Sequence, residues 1–336
     1  MQFQNTSGLE FANALYMVSP NMLKRALKLT LGFLSLLFVL LFFGVIYTWA
    51  PDKTLAELQP KWAPLPSVFV DIMGMKVHLR DEGPRTDPNP IVLIHGTASS
   101  LHTWDGWVEE LKPTRRVIRF DLPGFGLTGP SPNGDYSLDL YAKFVISILD
   151  KLGVGHAVIA GNSLGGNIAW FTALNHPKYF EKLVLVDASG YRFQSTSVPI
   201  GFRIARVPLL RNLVSNVLPR FIIASSVKNT YGDPSKVTEI QIDRYYDLTL
   251  REGNRKALIQ RFQQIAPGLH EDKIRELHIP TLILWGGKDR LIPPEYAEKF
   301  HSDIRGSKLV VFENLGHIPQ EESPKETLQV FQEFMK

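Results

Sequence analysis

Two rhythms of apolar positions run through the chain from residue 67 onward. Short runs of strand length fall at Ile91–Ile94, Val117–Phe120, Ala157–Ala160, Leu183–Val186, Thr281–Trp285 and Leu309–Phe312. Each is apolar at nearly every position, the mark of a strand covered on both faces. Between them, segments such as 138–152 and 166–174 repeat their apolar residues at helical spacing. Ahead of these, Val68–Ile72 and Lys76–Arg80 read as a strand pair joined across Met73-Gly74-Met75. Strands alternating with helices predict an α/β fold, a mostly parallel sheet with helices on both faces.

Two intervals depart from this rhythm. Residues 191–277 carry helical periodicity and turn signals but no strand, and so predict a helical cap inserted over the carboxyl edge of the sheet. Within it, Gly201–Phe221 mixes Ile, Val and Leu with Arg203, Arg206, Arg211 and Arg220; a solvated face over an apolar pocket is preferred to a lipid-facing basic surface. The second interval is Leu29–Ala50, which contains no charge. At ~1.5 Å per residue it reaches roughly the 30 Å of a bilayer's hydrocarbon core. It exceeds a signal-peptide core in length, and its small-residue exit, Thr48-Trp49-Ala50, runs into Pro51, so a membrane helix is expected rather than a cleaved signal.

The expected organisation is a cytoplasmic segment over 1–28, an anchor over 29–50, a Pro-rich stalk over 51–66, a core over 67–190 and 278–336, and the cap over 191–277. Lys24, Arg25 and Lys28 precede the anchor while Asp52 and Lys53 after it cancel, which places the body outside the cytoplasm; if the cell is Gram-negative, that is the periplasm. Met1 and Met22 are alternative starts that leave the same anchor.

Composition narrows the chemistry. With 336 residues, 44% of them hydrophobic, the chain can bury a full core. A net charge of +4 without a dense basic block argues against nucleic acid. The absence of cysteine excludes disulfides, thiolate metal sites and a thiol nucleophile.

The run Ala157–Ala160 leads into Gly161-Asn162-Ser163-Leu164-Gly165, with helical character from Gly166. A serine in a sharp strand-to-helix turn flanked by glycines is a nucleophile elbow, and Ser163 is the candidate nucleophile. A serine hydroxyl needs a base to take its proton and a carboxylate to orient that base. Of nine histidines, His317 follows the last strand and precedes the final helix, on the sheet edge of Ser163. His95 sits before Gly96, where backbone is the usual participant; His102 is a lining residue at best; His78, His156, His176, His270, His278 and His301 read as surface or locally bonded. Asp289, in the turn after Thr281–Trp285, completes the order Ser, Asp, His. Asp187, at the end of Leu183–Val186, is the rival acid, and Asp121 reads as turn-stabilising. The oxyanion donors expected are the backbone N–H groups of Leu164 and Thr97, with Ala98 in reserve.

With Ile94-His95-Gly96-Thr97, Asp121-Leu122-Pro123-Gly124-Phe125-Gly126, Gly161–Gly166, Gly286–Asp289 and Gly316-His317 in this order, the chain resembles the α/β-hydrolase superfamily over nearly all of 67–336. It looks most similar to bacterial membrane-anchored lipases and esterases. The resemblance implies a serine hydrolase of carboxylic esters with apolar or acyl-chain substrates, working through an acyl-enzyme on Ser163, His317 and Asp289. It implies no cofactor and no metal, a small-molecule ester as partner, and membrane lipid contacts through the N-terminal helix. Serine at the elbow argues against epoxide hydrolases and haloalkane dehalogenases, which resemble this chain but carry aspartate there. Carbon–carbon bond hydrolases remain an alternative, as does a non-catalytic binding module.

Overall fold

The computed structural model describes residues 19–205 and 216–336, in two compact units divided between Trp49 and Ala50. In the first, helix α1 (Pro20–Tyr47) is continuous. Ser19 Oγ accepts from Met22 N at 3.2 Å, and Pro20 takes the first turn, where its missing N–H costs nothing. The helix therefore starts before the uncharged run and includes Lys24, Arg25 and Lys28, because nothing between Pro20 and Leu29 breaks helical geometry. It is long and apolar enough to cross a membrane and buries none of its side chains; a membrane anchor and a signal sequence share this form. Residues 1–18 of the expected cytoplasmic segment lie outside the described residues.

The second unit is built on an eight-stranded sheet in the order β1-β2-β4-β3-β5-β6-β7-β8. Strands β1 (Val68–Ile72) and β2 (Met75–Glu82) form a hairpin whose turn, Met73-Gly74, has positive φ at both residues, the geometry that suits the strands' twist. β2 pairs antiparallel with β4 (Val117–Phe120). From β4 through β3 (Ile91–Ile94), β5 (Ala157–Asn162), β6 (Phe180–Val186), β7 (Thr281–Gly286) and β8 (Lys308–Phe312) the pairing is parallel. Alternate residues of the central strands enter two different cores: Val92, Ile94, Ile159, Leu183 and Leu185 pack on one face, Ile91, Leu93, Val158, Val184 and Val186 on the other. Two-sided burial is why these strands are continuously apolar in sequence. Helices α4 (Leu138–Lys151) and α5 (Leu164–Asn175) cover the first face, and α3 (Asp105–Leu111) and α12 (Pro324–Met335) the second.

The segment expected as a stalk is folded. Helix α2 (Leu55–Trp62) opens on a capping box between Thr54 and Glu57 and buries Leu58 and Trp62. Trp62 Nε1 donates to Asp247 at 3.0 Å, and Lys53 and Lys61 pair with the same carboxylate at 2.7 and 3.1 Å. Pro60 and Pro64 made the stretch look like a linker, but its apolar and cationic side chains find distant partners that only folding supplies.

Between β6 and β7 the described residues form helices α6 (Ile200–Ala205), α7 (Arg220–Thr230), α8 (Glu239–Thr249) and α9 (Asn254–Gln264) and no strand of the sheet. Of the arginines singled out over Gly201–Phe221, Arg206 and Arg211 lie outside the described residues; Arg220 is paired with Glu239 and Asp243.

Candidate active site

The elbow is built from close approach. Ser163 has φ +55°, and a Cβ placed on Gly161 would lie 2.1 Å from Gly165 O, one on Gly165 2.3 Å from Ile94 O. Neither position can hold a side chain, and the turn presents Ser163 at the amino end of α5. Ser163 N donates to Val186 O at 3.0 Å, and Ser189 N to Ser163 O at 3.0 Å, so the strained residue is held from both sides. A Cβ on Gly96 would stand 3.1 Å from Ser163 Cβ, which brings the loop after β3, with Thr97, directly against the serine.

Asp289, in the turn after β7, accepts from Leu291 N at 2.7 Å and Ile292 N at 3.1 Å through Oδ1, and its Oδ2 meets His317 Nδ1 at 2.7 Å. Two backbone donors stabilise a charged carboxylate in this buried position, and the bond to Nδ1 assigns Nε2 as the free face of the imidazole. His317 is fastened on its backbone as well: its N donates to Thr230 O at 2.7 Å, and its carbonyl accepts from Asn162 Nδ2 at 2.9 Å. Asn162, next to the serine, thereby ties the serine's strand to the histidine's loop.

A cavity of about 390 Å³ opens on these groups. Its floor is Gly96, Thr97, Ser163, Leu164 and His317; its upper wall, largely apolar, comes from the β6–β7 insertion, with Phe202, Ile222, Val227, Leu258, Phe262 and Ile265 among its lining. The structure thus gathers Ser163, His317, Thr97 and Leu164 around one cavity, with Asp289 behind His317.

The rival acid is near by: ligand atoms of Asp187, Asp289 and His317 all lie within 4.8 Å of one another. Among the described residues this is the group compact enough to hold a cation; within it His317 Nδ1 is bonded to Asp289 at 2.7 Å. His317 bonds to Asp289, not to Asp187.

Other histidines fall differently from expectation. His95 is wholly buried, with Nδ1 bonded to Gly96 O and Nε2 to Leu122 N, so its imidazole, not only its backbone, shapes the loop; burial lowers its pKa and keeps it neutral. His102 does not line the cavity and instead bonds Trp62 O at 2.9 Å. His78 is neither superficial nor locally bonded: Nδ1 lies 2.7 Å from Asp121 Oδ2 and Nε2 2.8 Å from Ser67 Oγ. This second serine–histidine–aspartate chain lies away from the cavity lining, and Ser67 Oγ is further fixed by Arg80 Nε at 2.8 Å. Asp121 also accepts from Leu101 N and Leu127 N, the turn-holding part expected of it. Against burial, which would raise it, the charge and hydrogen bond of His78 hold the Asp121 carboxyl far below its usual range.

Sequence reasoning missed Asn162 and Glu322 as parts of the site. Glu322, in helix α11 (Pro319–Glu322), accepts from Gly316 N at 2.8 Å and from Gly232 N and Asp233 N of the insertion at 2.9 and 2.8 Å. Asn162 stood visibly in the elbow. For Glu322 the only signal was its nearness to His317, since its other partners lie about ninety residues away.

Residues 89–324 match a family model described as the α/β hydrolase fold. The chain is 29% identical over 260 residues to an uncharacterized hydrolase of Bacillus subtilis, covering 77% of this chain and 93% of that protein. It is 28% identical over 253 residues to Lipase 3 of Moraxella sp. strain TA144, covering 73% of this chain and 76% of the lipase. Among solved structures, the meta-cleavage product hydrolase of Pseudomonas fluorescens IP01 superposes with a TM-score of 0.68 at 26% identity, over 80% of this chain and 96% of that one. With its sheet order, its elbow and a family match spanning most of its length, the chain belongs to the α/β-hydrolase fold family and is a hydrolase.

Proposed function

We infer that the protein is a serine hydrolase of carboxylic esters with apolar or acyl-chain substrates. The observation that carries this reading is the 2.7 Å bond between His317 Nδ1 and Asp289 Oδ2 behind a largely apolar cavity that also receives Ser163. In it, His317 Nε2 takes the proton of Ser163 Oγ as the oxygen attacks the ester carbonyl. The tetrahedral oxyanion is met by the N–H groups of Leu164, at the positive end of α5, and Thr97. His317 then passes its proton to the leaving alcohol, and Asp289 stabilises the imidazolium between the two transfers. Water enters and attacks the acyl carbonyl as it gives a proton to His317; His317 returns that proton to Ser163 Oγ as the bond to serine breaks and the acid leaves. Residues 191–277 act as the cap that supplies the acyl pocket, over a core of 67–190 and 278–336.

The apolar part of helix α1, from Leu29 to Tyr47, serves in this reading as a membrane anchor that ends before Ala50, with the body on the extracytoplasmic side. A lipid-derived ester would then diffuse to the enzyme along the surface that holds it.

A second reading, carbon–carbon bond hydrolysis, is favoured by the likeness to the meta-cleavage product hydrolase and uses the same serine and histidine. Detergent-solubilised full-length protein should label with a fluorophosphonate and hydrolyse p-nitrophenyl esters, with an optimum chain length set by the cavity. Both activities should vanish in Ser163→Ala, with turnover falling by roughly 10⁴-fold or more. Strong labelling with negligible hydrolysis of every ester would favour the carbon–carbon reading; no labelling of folded protein would leave a binding module.

A further inference from the structure

Asp187 follows the last residue of β6, is completely buried, and has φ +43°, a left-handed conformation that aspartate tolerates better than most side chains. Its backbone N donates to Leu284 O at 3.0 Å, and its Oδ1 accepts from Gly286 N at 2.9 Å. Its Oδ2 is buried with no donor to accept from. An ionised carboxylate in that position would hold a desolvated charge satisfied on one side only.

A second carboxylate stands beside it. Asp289 lies within the 4.8 Å cluster that also contains His317, and the charge of Glu322 acts on the same spot. Two carboxylates so close and so dry do not both ionise. The donors decide which one keeps the charge. Asp289 accepts from Leu291 N, Ile292 N and His317 Nδ1, whereas Asp187 accepts from Gly286 N alone. The charge belongs on Asp289 and the proton on Asp187.

We propose that Asp187 is a neutral carboxylic acid whose Oδ2–H donates to the Asp289 carboxylate, a positioning residue that aims Asp289 at His317. Burial, with the Asp289 charge second, accordingly pushes the Asp187 carboxyl well above the ordinary carboxylate range. The arrangement adds orientation without adding charge. A second negative charge beside His317 would favour the imidazolium before the reaction starts and so spoil the base. The role in turnover rests on the assignment of Ser163, His317 and Asp289 given above; the protonation state does not.

The test compares Asp187→Asn, Asp187→Ala and Asp289→Asn with wild type, in kinetics and in thermal melts. Asp187→Asn keeps an acceptor for Gly286 N and supplies a permanent N–H donor to Asp289. Asp187→Ala should lower kcat on the order of ten- to a hundredfold with little change in KM, and Asp187→Asn should recover most of that loss. The melts read protonation without any substrate. A carboxyl whose folded pKa lies above its unfolded value, about 4, loses stability as pH rises from that value toward the folded one. Asparagine carries no such penalty. The Tm of Asp187→Asn relative to wild type should therefore climb as pH rises above about 4.

A flat or falling Tm difference would mean an ionised Asp187 and would overturn the proposal. So would an Asp187→Asn enzyme as crippled as Asp187→Ala beside a mildly affected Asp289→Asn, since Asp187 would then be the acid that orients His317. An Asp187→Ala enzyme turning over at the wild-type rate would also overturn it. Failure of the parent assignment is read elsewhere, as wild-type protein that does not label or Ser163→Ala protein that stays active, and the pH dependence of the melts stands apart from it.

Discussion

At the scale of single residues, the site depends on a few atoms that have no freedom to be otherwise. Asp289→Asn keeps the shape of the carboxylate but offers an N–H where His317 Nδ1 now donates, so the histidine must turn or change tautomer. Turnover should fall by roughly 10³- to 10⁴-fold with folding retained, measured as kcat beside a circular-dichroism melt. Gly161→Ala would put a methyl group 2.1 Å from Gly165 O. That overlap with backbone cannot relax by a side-chain rotation, and a loss of about 2–4 kcal/mol in chemical denaturation is expected. Asp121 gives a pH dependence of definite sign. Its carboxyl is depressed in the fold by His78, so it stabilises the protein above the unfolded carboxyl pKa of about 4 and ceases to as pH falls below it. Asp121→Asn should thus lower Tm at pH 7, and the gap from wild type should narrow toward about pH 3.

At the scale of elements, the loop carrying His317 belongs to the insertion as much as to the core. It is attached to the insertion by His317 N to Thr230 O, at the end of α7, and through Glu322, which accepts from the loop's own Gly316 N and from Gly232 N and Asp233 N of the insertion. Moving α7 away from the sheet would therefore disturb the histidine directly. Glu322→Gln replaces one acceptor oxygen by a donor and leaves a backbone N–H of Gly232, Asp233 or Gly316 without its partner. We expect kcat to drop about tenfold and stability by about 1–3 kcal/mol, read from kinetics and melts on the same preparation. Helix α8 forms a comparable junction: Arg244 pairs with Glu321, and Tyr245 donates to the same carboxylate at 3.1 Å while lining the cavity.

For the molecule as a whole, the boundary between its two units is the informative feature. The compact body begins at Ala50, whose N donates to Asn216 O at 2.8 Å, and not at residue 67 where a stalk would have ended. A protein starting at residue 50 keeps α2, its capping box and the Lys53, Lys61 and Trp62 contacts to Asp247. It should melt near the temperature of the full-length body and hydrolyse water-soluble esters at a similar rate. A protein starting at residue 67 loses the burial of Leu58 and Trp62, worth about 1.5–3 kcal/mol each. Its Tm should fall by roughly 5–15 °C. Equal melts for the two truncations would return 51–66 to the status of a linker.

Much of this protein was written in local patterns. The central strands are apolar at nearly every position because both faces of the sheet are covered, and that rule is visible one residue at a time. The elbow is legible because a strained serine between two side-chain-free neighbours needs glycine at fixed spacing, and His317 and Asp289 because they follow strands whose ends share one edge. What the sequence could not express was any contact joining distant segments. Whether 51–66 hangs free or packs depends on Asp247, far along the chain; whether Glu322 is a surface acid or a clasp depends on Gly232 and Asp233; whether an aspartate at the end of β6 is a rival acid or its neighbour's hydrogen-bond donor depends on which of the two the backbone N–H groups surround. Periodicity encodes the burial of an element's own faces. Desolvation and hydrogen-bond satisfaction are properties of assembled space, and only the tertiary structure assigned them.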